Sequence, residues 1–97
     1  MNKLIGDLIK ILHEVREYVD NPNTDLSWTS YNSIDEVLSE IDSYIKRLTE
    51  YDGSVFWDLK IFFAPTGYLQ DISIDSGWGD EFIEISERFD DLIARLT

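Results

Sequence analysis

The sequence predicts an α+β domain of order α-α-β-β-α, with helices packed on one face of a small antiparallel sheet. Three observations carry that expectation. Apolar residues recur at intervals of three and four over residues 1–20 and 34–51. Apolar and polar positions alternate from Val55 to Phe63, and helical spacing returns after Asp80.

Met1–Asp20 places Leu4, Ile5, Leu8, Ile11, Leu12, Val15, Tyr18 and Val19, with Met1, on one wide apolar helical face. Asn21-Pro22-Asn23 stops that helix, because the residue before proline avoids the α region. Asn21–Asn32 is then a long polar connection carrying Trp28 and Tyr31, and Leu26–Ser30 within it is a candidate third, edge strand. Ser33 and Glu36 form a capping box ahead of Ile34, Val37, Leu38, Ile41, Tyr44, Ile45, Leu48 and Tyr51. Gly53 suits the position just past the end of this second helix.

Ser54–Gly79 predicts a β-hairpin. Val55, Trp57, Leu59, Ile61 and Phe63 would point one way, and Asp58 and Lys60 the other. A turn at Ala64-Pro65-Thr66-Gly67 would set Phe63 opposite Tyr68, Leu59 opposite Ile72 and Trp57 opposite Ile74. The same register pairs Lys60 with Asp71 on the other face, beside Phe56, Phe62 and Leu69. Ser76-Gly77-Trp78-Gly79 breaks the strand. A last helix then buries Phe82, Ile85, Phe89, Leu92 and Leu96, flanked by Ile83 and Ile93.

With 97 residues, 43% of them apolar and 13% aromatic, the chain is read as one domain over 1–97 with a real core. No cysteine is present, so disulfides, thiolate nucleophiles and thiolate metal sites are excluded. His13 is the only histidine and has no obvious co-ligands, so neither metal nor cofactor is expected. No nucleophile, base and orienting group can be assembled, which argues against an enzyme. No apolar run reaches the roughly 20 residues of a membrane span or the centre of a signal peptide. A cytoplasmic protein is the expectation.

Twenty acidic and eight basic residues give a net charge of −12, which repels nucleic acid and anionic membranes and attracts a basic protein. The charge is concentrated. Asp71, Asp75, Asp80, Glu81, Glu84, Glu87, Asp90 and Asp91 stand against Arg88 alone, so residues 71–91 carry −7 of the total. Asp80, Glu84, Glu87 and Asp91 fall within about 60° on the last helix, opposite its apolar face. Such a stripe either stays solvated or docks a cationic partner. The candidate partner-binding set is therefore Asp71, Asp75, Asp80, Glu81, Glu84, Glu87 and Asp91, with Trp28, Tyr31 and Trp78 as aromatic anchors.

Small size, strong acidity, the clustered carboxylates and the missing catalytic set together resemble the small acidic immunity proteins of bacterial toxin and contact-dependent inhibition systems. The resemblance is to that class as a whole. It implies a cytoplasmic inhibitor that occludes a basic toxin, a nuclease above all, whose phosphate-binding site is cationic. Two other readings use the same residues. One is an acidic nucleic-acid mimic or adaptor on a DNA-binding protein; the other is a structural module pairing through a strand edge.

Overall fold

A computed structural model describes residues 3–27, 29–64 and 67–96. Among them are five helices and no strand: α1 (Lys3–Val19), α2 (Ile34–Thr49), α3 (Val55–Phe62), α4 (Tyr68–Asp75) and α5 (Gly79–Leu96). The chain is all-helical, and the α+β expectation with its antiparallel sheet is overturned.

The three long helices fall where the periodicity put them. α1 buries Ile5, Leu8, Ile11, Leu12, Val15 and Val19 and packs against both α2 and α5. Its last carbonyl, Val19 O, accepts from Thr24 Oγ1 at 2.8 Å, and Asn21 Oδ1 takes the Asn23 amide at 2.8 Å. Those two bonds turn the chain at Pro22 and supply partners the broken helix lacks. Residue 26 is irregular and residues 27, 29 and 30 lie in a turn and bends, so they form no edge strand; Trp28 lies outside the described residues. Asp25 N–H donates to Ser76 Oγ at 2.9 Å, tying this connection to the far end of α4.

The α2 cap is shifted from the expected box. Ser33 Oγ accepts from Glu36 N–H at 3.3 Å, but the Glu36 carboxylate takes the Asn32 amide at 2.6 Å instead of the Ser33 amide. At the other end the left-handed residue is Tyr51 (φ 58°), not Gly53. Asp52 N–H reaches back to Arg47 O at 2.9 Å and Tyr51 N–H to Leu48 O at 3.1 Å. This is the Schellman arrangement that closes a helix C-terminus.

The predicted hairpin is instead a pair of short helices. α3 buries Val55, Leu59 and Phe62, with Phe63 just past its end, while Trp57 and Ile61 are 69% and 56% exposed. α4 buries Leu69, Ile72 and Ser73, and leaves Tyr68 and Ile74 outside. Positions 55, 59, 62 and 63 are spaced for one helical face, and so are 69, 72 and 73. Lys60 and Asp71 consequently do not pair across a sheet, and Phe62 and Leu69 lie in the core and not on an outer face. Seven of the nine residues from Val55 to Phe63 are apolar, a run that satisfies both periods. What separates the two outcomes is the backbone. A helix bonds its own amides, whereas an isolated two-stranded hairpin leaves two open edges.

Gly67 begins the step into α4, and its N–H donates to Ala64 O at 2.8 Å. A Cβ there would stand 2.9 Å from Ile61 O and 3.1 Å from Ala64 O, so only glycine fits. Pro65 and Thr66, the centre of the predicted turn, lie outside the described residues. α4 closes with Gly77 in the left-handed region (φ 89°) and Trp78 N–H on Ser73 O at 2.8 Å.

One core joins all five helices. Phe63 stacks on Phe89 at 4.2 Å between ring centres and meets Phe62 edge-on; Phe62 in turn meets Tyr44 of α2. Trp78 stacks on Tyr18 at 4.8 Å and stands edge-on to Phe82, fastening the start of α5 to α1. Ile83, expected to flank the buried face, is 58% exposed.

Candidate functional site: an acidic groove and a tyrosine-lined cavity

The acidic residues singled out in the sequence do not form one surface. Asp80, Glu81 and Glu87 line a groove of about 610 Å³ between α4 and α5, together with Ile74 and Ile83. Both isoleucines are more than half exposed, so the groove sets open apolar surface beside carboxylates. Asp80 and Glu81 occupy the first turn of α5, where the helix dipole favours negative charge. Asp80, Glu81 and Glu87 have no ion-pair partner among the described residues.

Glu84 and Asp91 differ from these. Arg88 Nε lies 3.1 Å from Glu84 and Arg95 Nη2 3.3 Å from Asp91, each pair spaced i,i+4 along α5. Arg88 also grips Glu14 of α1 with two bonds of 2.9 Å. The stripe inferred from the helical wheel is therefore interrupted by bases. Asp71 and Asp75 share a face of α4 about 100° round from the residues that line the groove.

Of the aromatic anchors, Trp78 is 5% exposed and belongs to the core, and its Nε1 finds no acceptor among the described residues. Trp28 is outside the described residues. Tyr31 lies on a different part of the surface. Its hydroxyl donates to Glu40 Oε2, and Tyr44 donates to Glu40 Oε1 one helical turn further on, so a single carboxylate holds two phenols. Burial first, and the Glu40 bond second, push both phenols well above their ordinary range. Tyr68 meets the Tyr31 ring edge-on at 5.8 Å between centres.

Glu40, Tyr31, Tyr44 and Tyr68 line a second cavity of about 610 Å³, which Asp58, Ile61 and Phe62 also border. Tyr31 stands out in the sequence as a loop aromatic, but its partners do not. Glu40 is one of twenty acidic residues, and Tyr44 reads as an ordinary apolar-face residue. Their i,i+4 spacing was the only available signal.

His13 is exposed, and among the described residues no three His, Cys, Asp or Glu side chains gather to hold a metal ion. Among the described residues no helix is long and apolar enough to cross a membrane. Comparison with protein-family models, curated proteins and solved structures finds no match to this chain.

Proposed function

We propose that the protein is an inhibitor of the immunity type, which binds a basic partner, a toxin nuclease above all, and occludes it through the α4–α5 groove. The observation that carries this reading is the nearness of exposed Ile74 and Ile83 to the carboxylates of Asp80, Glu81 and Glu87, which have no ion-pair partner among the described residues. Exposed apolar side chains beside charged ones are the composition of a protein-binding surface. A nuclease active site is cationic because it binds phosphate, so a carboxylate-bearing plug competes with substrate for the same field. The nucleic-acid mimic fits less well, since Arg88 and Arg95 interrupt what would have to be a row of phosphate-like charges.

The test is affinity capture from the source cell at low salt, followed by assay of the captured protein. A basic protein whose nuclease activity falls on adding this chain is the expected result. Its association should slow as salt rises, because attraction is screened over about 10 Å at 0.1 M. Ile83→Lys and Glu87→Lys change exposed positions on α5 and should abolish capture while circular dichroism stays unchanged. Capture of an acidic protein, or unchanged capture by both variants, sinks the proposal.

A further inference from the structure

The cavity beneath Tyr31 and Tyr68 carries a ligand chemistry of its own. Glu40 is partly buried, yet neither Lys nor Arg neutralises it among the described residues. Arg47, on the same helix, is committed elsewhere: Nη1 to Asp58 at 2.7 Å, Nε to Asp52 at 3.2 Å and Nη2 to Ser54 Oγ at 2.9 Å. A carboxylate offers about four lone-pair sites, and the two phenols use two of them. Among the described residues nothing else uses Glu40, whose remaining acceptor capacity can serve a donor entering the cavity. Asp58 also borders it, and among the described residues only its Oδ2 is engaged, by Arg47.

The walls add a second element. Tyr31, Tyr44, Tyr68 and Phe62 surround the space with aromatic rings, whose faces attract cations. At the mouth, Ile61 and Tyr68 are 56% and 45% exposed, and Trp57, one helical turn before Ile61, is 69% exposed. Those apolar surfaces suit the stem of a long side chain and its apolar neighbours, beside the partly buried Glu40 carboxylate.

We infer that this cavity receives a guanidinium group, the side chain of an arginine presented by a protein partner. A guanidinium is planar, permanently charged and weakly hydrated, stacks on aromatic rings and spreads five donors in a fork. An ammonium is compact and strongly hydrated, and has less to gain from aromatic walls. The partner follows from the basic-partner reading above, but the cavity's chemistry can be tested without any partner.

Butylguanidinium is the probe, with butylammonium and neutral butylurea of the same stem as controls, followed by amide and aromatic NMR shifts. Butylguanidinium should give saturable shifts centred on Tyr31, Glu40, Tyr44 and Tyr68, weakening as salt rises. Butylammonium and butylurea should each bind at least about tenfold more weakly. Glu40→Gln keeps the shape of the side chain and should also cost about tenfold. Tyr68→Leu, at an exposed position that leaves both Glu40 bonds intact, should weaken binding if Glu40→Gln fails to fold. Absence of saturable shifts, equal binding of butylammonium, or binding indifferent to both variants overturns the inference. A captured partner that needs Ile83 and Glu87 but not Glu40 would leave the groove standing and reject this cavity as a partner contact.

Discussion

Tyr51 and Gly77 occupy the same station at the ends of their helices. Each is the left-handed residue just past the C-cap, with φ of 58° and 89° respectively. Each is followed by a residue whose N–H reaches back five positions, Asp52 to Arg47 O at 2.9 Å and Trp78 to Ser73 O at 2.8 Å. Glycine adopts this conformation freely, whereas an L-residue pays about 1–2 kcal/mol for it. Tyr51 is 62% exposed, so little packing offsets the strain.

Tyr51→Gly should therefore stabilise the protein, by about 0.5–1 kcal/mol once glycine's greater freedom in the unfolded chain is deducted. For a domain this size that is a rise of about 2–8 °C in Tm. Gly77→Ala should move it the other way. Thermal unfolding of both variants checks the pair, and a lower Tm for Tyr51→Gly would mean that the tyrosine ring contributes packing that outweighs its backbone.

The two short helices yield a second prediction, because hairpin and helix assign Trp57 and Phe62 to opposite sides. In the hairpin register Trp57 is core and Phe62 is not; in the structure Phe62 is 6% exposed and Trp57 is 69% exposed. Phe62→Ala should cost about 3–5 kcal/mol by leaving a cavity between Tyr44 and Phe63. Trp57→Ala should change stability by no more than about 0.5 kcal/mol. Denaturant midpoints decide between them, and the reverse order of costs would restore the hairpin.

The same contrast explains what could be read from the sequence. α1, α2 and α5 run for 16–18 residues, long enough for a three-and-four spacing to declare itself against any alternation. α3 and α4 have eight residues each; the alternation came in α3 from Asp58 and Lys60 falling two apart in an apolar run, and in α4 from Asp71, Ser73 and Asp75 flanking Ile72 and Ile74. The adjacent pair Phe62-Phe63 was the discordant signal: on a strand the two rings face opposite ways, while both are buried here.

Charge was legible in total but not in arrangement. Arg88 and Arg95 could be placed at i+4 from Glu84 and Asp91 by counting, yet the bond from Arg88 to Glu14 crosses 74 residues. Tyr31 stood out as a loop aromatic. Its bond to Glu40 depends on how the connection folds over α2, which no periodicity encodes.

The shared carboxylate of Glu40 makes the last prediction, an alkaline one. A phenol held above its ordinary range binds its proton more tightly in the folded chain than in the unfolded one. Its stabilising contribution is complete below the unfolded value of about 10 and is lost as pH rises toward the folded value. Tyr31 and Tyr44 both lie in that direction, so stability should decline above about pH 10 as the unfolded chain releases protons that the folded chain retains. In a titration followed by phenolate absorbance, two of the five tyrosines should ionise only as helical circular dichroism is lost. Tyr31→Phe and Tyr44→Phe should each remove one phenolate from that late step, and Tyr44→Phe should still leave Glu40 bonded to Tyr31. If all five ionise while the helices remain intact, Glu40 does not hold these two protons, and the alkaline loss of stability must be sought elsewhere.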